Sequence, residues 1–293
     1  MAAKRGPTFR RRELGRELRK LREENALTLQ GVADDLGFSH TKLARVEVGA
    51  NDLPRTGDLE ALMDLYGVYD KDDRETLIQL HRESLSKDPW TPYKQYMPSK
   101  MPVYRGLEEA AHTMRAYQPD VVFGLLQTEK YARALFQAAK PVDETTSEFV
   151  ETNTRLRMER KELITRTDNP LLLKVILDES AVRRLVAGPE VMKEQYAEIV
   201  ELGRLDNVTI QILPNLVVTY RAPSNFAVLD FPDLDSVVQT DMPTTISVTD
   251  EQREVGKGNR RFDAMRESAM APAETPTVLH RLTQEWTQPS ILT

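Results

Sequence analysis

Four side chains between Ser39 and Val46, namely His40, Thr41, Lys42 and Arg45, carry donors and acceptors suited to the edges and backbone of a nucleic acid. A guanidinium bonds a guanine edge through two parallel N–H groups, and a threonine reaches a base edge or a thymine methyl. Each good contact discriminates by about 1–3 kcal/mol. His40, Thr41 and Arg45 are therefore the candidates for base readout. Lys42, Thr28, Gln30, Ser39, Arg10, Arg11 and Arg12 are expected to hold phosphates, which sets register without reading sequence. Other chemistries find no footing. Without cysteine neither a disulfide nor a thiolate metal site can form, and His40, His81, His112 and His280 are far apart with no HExxH spacing. No GxSxG or GxxxxGK occurs, and Gly256-Lys257-Gly258 lacks the third glycine of a dinucleotide loop. Asp178 and Glu179 on one strand would point to opposite faces, and Glu179 can equally begin the next helix. The expectation is a protein with no metal and no cofactor that is not an enzyme.

The elements that must position these residues are helices. From Arg10 to Asn25, Leu14, Leu18 and Leu21 fall at i, i+4 and i+7 and make one apolar stripe. Thr28 can cap a second helix burying Leu29, Val32, Ala33 and Leu36, which Gly37 ends. Ser39 opens a third, with Leu43 and Val46 inward, and Gly49 closes it. Two short helices joined by a glycine-containing turn project the second of them outward, the geometry of a major-groove reader. Pro54 to Tyr66 and Asp70 to Lys87 add a fourth and a fifth helix, completing an all-α, five-helix bundle. The formal net charge of −6 hides a basic start to the chain, where Lys4, Arg5, Arg10, Arg11, Arg12, Arg16, Arg19, Lys20 and Arg22 outnumber Glu13 and Glu17. Such a segment directs a positive field at phosphates or is a solvated helix face.

A chain of 293 residues has room for two domains. Residues 1–87 form the first, and 88–103 a linker whose sequence DPWTPYKQYMPSKMP interrupts helix and strand alike. Trp90, Tyr93 and Tyr96 suit packing better than a free tether. Residues 104–288 form the second domain. It begins with an amphipathic helix over Tyr104 to Tyr117, then helices over Thr128 to Ala139 and Ser147 to Arg166. Strands are expected at Leu171 to Leu177, Val208 to Leu213, Asn225 to Phe231, Ser236 to Thr240 and Thr244 to Val248, around a helix at Val191 to Leu205. Helices over Asp250 to Met270 and Thr277 to Thr287 close the chain. The spacing indicates an α+β domain, a mixed sheet with flanking helices. No apolar run approaches a membrane span and no signal peptide is evident, so the expected location is cytoplasmic, with no membrane partner.

The stretch LTLQGVADDLGFSHTKLARVEVG, Leu27 to Gly49, resembles the signature of the Xre, or lambda-repressor-like, family of helix-turn-helix regulators. Leu29 stands where many members carry a phosphate-contacting glutamine, and Val32 where leucine is commoner. Glu47 matches an acid that the resemblance assigns to holding the domain together. PDVVFGLLQTEKYARAL (Pro119 to Leu135), RLRMERKEL around Arg157, LDESAVRRLVAG and NVTIQILP are similar to the C-terminal domain of many actinobacterial Xre-type regulators, described as toxin–antitoxin-like. Phe123 and Lys161 depart from that pattern. The resemblance implies a sequence-specific regulator of transcription that binds double-stranded DNA as a homodimer, antitoxin-like, with a small protein encoded nearby as partner. Gly124, Leu125, Leu126, Gln127 and Arg157 are its candidate partner or ligand contacts, although a glycine turn before a threonine cap equally serves to join two packed helices. Two other readings stay open: a regulator that senses a small molecule, and an enzyme tethered to a helical adaptor.

Overall fold

Apolar residues recurring every three or four positions bury one side of each early helix. The computed structural model describes residues 7–86, 101–241 and 245–287. Lys4, Arg5, Trp90, Tyr93 and Tyr96 lie outside the described residues. The chain divides into two units, residues 2–94 with 102–110, and a second made chiefly of 111–293.

In the first unit, α1 (Pro7–Glu24), α2 (Leu29–Leu36), α3 (His40–Glu47), α4 (Thr56–Leu65) and α5 (Lys71–Ser84) surround one core of Leu14, Leu18, Val32, Leu43, Val46, Leu59, Leu62, Met63 and Leu77. Helix α6 (Met101–Ala110) joins this unit. Gly106 lets it lie on α1, since a Cβ there would stand 3.0 Å from the Thr8 Cβ. A buried ion pair ties α1 to the end of α3. Arg22 donates from Nε to Glu47 Oε1 at 2.7 Å and from Nη2 to Oε2 at 2.9 Å, while its Nη1 caps the Leu27 carbonyl at 2.8 Å.

The second unit is a six-stranded mixed sheet with flanking helices. In chain order its elements are β1 (Thr113–Gln118), α7 (Glu129–Ala139), α8 (Ser147–Thr165), β2 (Leu172–Asp178), α9 (Glu179–Arg183), α10 (Pro189–Leu202), β3 (Val208–Leu213), β4 (Phe226–Asp230), β5 (Val237–Asp241), β6 (Ile246–Thr249), α11 (Gln252–Ser268) and α12 (Thr275–Thr287). The strand order is β3-β2-β1-β4-β5-β6. β1 and β3 both run parallel to β2, while β4, β5 and β6 are added antiparallel. Tyr117, Ile176, Leu213, Phe226, Val228 and Val238 share one face, against Val255, Phe262 and Met265 of α11. Met114, Ala116, Val175, Leu177 and Ile212 are buried on the other.

Thr113 to Tyr117 corrects the helix expected over Tyr104 to Tyr117. The helix ends at Ala110, and Thr113–Gln118 is a central strand, paired with Leu172–Leu177 on one side and Phe226–Asp230 on the other. Tyr104, Leu107, Ala111 and Met114 keep a helical period. Two ladders of backbone hydrogen bonds override that local pattern.

Candidate nucleic-acid interface

The segment of α2, turn and α3 is built by three local devices. The Thr28 hydroxyl accepts the Gly31 N–H at 3.0 Å, starting α2. Gly37, at φ 67°, ends it, with the Phe38 N–H returning to the Ala33 carbonyl at 2.8 Å. The Ser39 hydroxyl then accepts the Lys42 N–H at 3.1 Å and starts α3. Leu43, Val46 and Glu47 occupy the inner side of α3. At 100° per residue the remaining arc runs through His40, Ala44, Val48, Thr41 and Arg45. His40, Thr41 and Arg45 are exposed, and among the described residues none of their side chains makes a hydrogen bond or ion pair. Val48, 47% exposed at the end of this ridge, adds an apolar side chain that sequence reasoning missed.

The expected phosphate contacts have partners of their own. Arg10 is bound by Glu13 and Glu83, each at 2.7 Å, and Arg11 by Asp52 at 2.8 Å. Arg12 lies where α1 crosses Gly49, within 2.8 Å of a Cβ built there, and has interactions of its own. Lys42 spans to Asp58 at 3.0 Å and stacks over the Phe38 ring, 4.1 Å from its centroid. Gln30 donates to Asp34 at 2.8 Å, and the Thr28 and Ser39 hydroxyls serve as helix caps. Partly exposed ion pairs are worth about 1 kcal/mol or less, so exchanging a carboxylate for a phosphate is inexpensive.

Sequence reasoning also missed Arg55. It is exposed, is unpaired among the described residues, and stands at the N-cap of α4 with no side-chain cap bond. The first amides of α4 are left without a capping side chain, and such amides suit an anion. The Lys42–Asp58 pair brings this helix start beside α3. The signal was an arginine where a helix normally begins with Ser, Thr, Asp or Asn.

In the second unit, Gly124, Leu125, Leu126 and Gln127 are turned inward. Leu125, Leu126 and Gln127 have no exposed surface. Gln127 donates to the Val122 carbonyl at 2.6 Å and accepts from Arg157 Nη1 at 3.0 Å. Gln195 closes the same knot, donating to the Leu126 carbonyl at 2.7 Å and accepting from the Thr128 N–H at 2.8 Å. A Cβ on Gly124 would stand 3.3 Å from both Arg157 and Arg160, so the glycine makes room for two guanidinium groups.

Several exposed apolar side chains gather elsewhere, on the loop between β3 and β4. Leu216 is 97% exposed and Val218 wholly so, with Tyr220 partly exposed beside them. The base of this loop is held firmly. Asp178 accepts from Tyr117 at 3.2 Å and from Arg221 Nε at 3.1 Å, and Glu179 accepts the Asn215 N–H at 2.8 Å. Burial, then the Asp178 charge, pushes the Tyr117 phenol well above its ordinary range. Burial alone would raise the Glu179 carboxyl, but the Asn215 N–H and Arg183 together outweigh burial and lower it.

A family model for a helix-turn-helix domain matches residues 13–77. A second model, described as a domain of unknown function (DUF5753), matches residues 102–281, more than half of the chain. No curated protein and no solved structure matches the chain. The first match takes in α2, the turn at Gly37 and α3, and a domain of this kind supports a DNA-binding regulator. The second takes in the sheet unit and also α6, which packs with the helical unit. No helix among the described residues is long and apolar enough to cross a membrane.

Proposed function

The chain belongs to the DUF5753 family, and we propose that it is a sequence-specific, Xre-type regulator of transcription that reads double-stranded DNA with α3. The observation that carries this reading is the unpaired, exposed ridge of His40, Thr41 and Arg45 on a helix capped at Ser39 and seated by Leu43 and Val46. His40, Thr41 and Arg45 touch base edges, while Arg55, the start of α4, Thr28, Gln30, Ser39, Lys42, Arg10, Arg11 and Arg12 hold phosphates. Selection of bound fragments from a random duplex pool tests it. A single enriched sequence is expected, whereas a featureless pool at low ionic strength overturns the reading.

The regulator acts in the cytoplasm as a homodimer, because one helix-turn-helix module binds weakly and half-sites one helical turn apart call for two. It is antitoxin-like, joined by a small protein partner and without catalysis of its own. The apolar loop of Leu216, Val218 and Tyr220 supports a protein partner better than the buried Gly124–Gln127 segment does. Co-purification with mass spectrometry checks the partner. A second reading, small-molecule sensing, is favoured by a cavity of ≈350 Å³ lined by Ile199, Val200, Val208, Ile210, Pro272 and Pro276. Its volume is that of a small ligand site. A ligand that raises the melting temperature and changes DNA affinity together would establish it.

A further inference from the structure

Helix α11 has two unlike sides. Its inner side, Val255, Gly258, Phe262 and Met265, packs on the sheet, so closely at Gly258 that a Cβ would stand 2.9 Å from Val228. Its outer side places Arg253, Lys257, Arg260 and Arg261 at i, i+4, i+7 and i+8, one stripe about 12 Å long. Arg260 lies back over Gly256, its Nη1 3.4 Å from where a Cβ would stand. Glu254 is the one carboxylate in an ion pair with this stripe among the described residues, at 2.5 Å from Lys257, and it also feels the charges of Arg253 and Arg261. Between Arg253 and Arg261 one acid stands among four cations, a local excess of three positive charges flanked by Asp250, Glu251, Asp263 and Glu267.

Among the described residues of this unit, arginines without an ion pair or hydrogen bond are confined to α11. Every other arginine described in this unit has a partner: Arg133 has Glu129 and Glu151, Arg155 has Glu159, Arg183 has Glu179 and Glu285, Arg204 has Glu201, and Arg266 has Asp263. The remainder are likewise engaged, Arg157, Arg166 and Arg221 by hydrogen bonds, Arg115, Arg184 and Arg281 by carboxylates and Arg160 by other contacts. Arg253, Arg260 and Arg261 form no ion pair among the described residues, in a chain of net charge −6 that has carboxylates to spare. A row of planar guanidinium groups at helical spacing suits successive oxyanions of a phosphodiester backbone.

We propose that the outer face of α11 is a second DNA contact surface, binding the phosphodiester backbone of duplex DNA without regard to sequence. This rests on the reading of the protein as a DNA-binding regulator, and adds to it a charged surface outside the helix-turn-helix domain.

The test uses the full chain and its selected sequence within a duplex several helical turns longer than that sequence, titrated across a range of salt concentrations. Each phosphate contact contributes about 0.9 to the salt slope of the binding constant. The triple variant Arg253→Ala, Arg260→Ala, Arg261→Ala is expected to lose about 2 to 3 from that slope and to bind at least tenfold more weakly in low salt. Its sequence profile and melting temperature should match the wild type. Arg155→Ala with Arg204→Ala, which removes paired arginines from α8 and from the turn after α10, should leave the slope unchanged. An unchanged slope in the triple variant overturns the proposal while leaving sequence-specific binding intact, as does an equal loss in the control, which would mark a general charge effect. Binding of the wild type to vesicles of anionic phospholipid, abolished by the triple variant while DNA binding persists unaltered, overturns it in favour of a membrane. A wild-type chain that ignores every duplex overturns both this surface and the function it rests on.

Discussion

Arg45 and Arg55 are both exposed guanidinium groups, yet their positions predict different losses. Arg45 lies on the outer arc of α3, the helix proposed to read DNA, so Arg45→Ala should erase preference at one base position, a penalty of about 1–3 kcal/mol for the preferred base. Arg55 stands at a helix start, so Arg55→Ala should weaken all duplexes alike and lower the salt slope by about 1. Sequence profiles and salt titrations of the two variants separate these outcomes, and identical profiles would refute the division. Arg22 belongs to folding. Its bond to Glu47 raises the guanidinium further above its ordinary range, and burial followed by the Glu47 charge pushes the neighbouring Tyr66 phenol up. Removing one partner of such a pair leaves a buried charge, so Arg22→Met should cost about 3–5 kcal/mol in urea unfolding. Arg22→Met combined with Glu47→Leu should recover most of that loss.

At the scale of elements, the angle of α3 depends on how near α1 can come. A Cβ at Gly15 would stand 2.4 Å from the Val46 carbonyl oxygen and 2.5 Å from that of Glu47, and neither backbone atom can yield as a flexible side chain would. Gly15→Val should therefore lower the melting temperature and abolish selective DNA binding together. Ser39→Ala, which removes only a cap, should cost about 1 kcal/mol and keep the sequence profile. In the second unit, Glu179 ties the start of α9 to the β3–β4 loop. Its carboxyl is depressed in the folded chain from an ordinary 4.5, so its stabilisation is present at neutral pH and is lost as pH falls through the folded value. The melting temperatures of the wild type and Glu179→Gln should differ most at pH 7 and converge in acid. A difference that widened in acid would contradict the assignment.

For the whole molecule, the apolar loop is the surface on which the proposed partner is tested. Leu216→Asp with Val218→Asp alters side chains that pack on little of their own chain. The double variant should keep the melting temperature and lose the proposed small partner in co-purification. A partner retained in full would move that surface elsewhere. The two units also differ in how much of each was written in local sequence. Helices α1 to α5 rest on leucine periods, with caps at Thr28, Ser39 and Asp70, all interactions between near neighbours in the chain. Strand β3 was bounded at Val208 and Leu213 because its apolar residues alternate. Strand β1 was hidden, because its partners lie about 60 and 115 residues away and no local pattern announces them.

The sequence by itself determined the helix-turn-helix, the outward placing of His40, Thr41 and Arg45, and the presence of strands in the second half, since each follows from periodicity and capping within a few residues. Only the tertiary structure decided which cations are spoken for. Arg11 finds Asp52, Lys42 finds Asp58 and Arg157 finds Gln127 across separate elements, while Arg253, Arg260 and Arg261 find no partner among the described residues. The physical reason is range. Caps and periods act between near neighbours, whereas an ion pair or a close glycine contact depends on where distant segments come to rest.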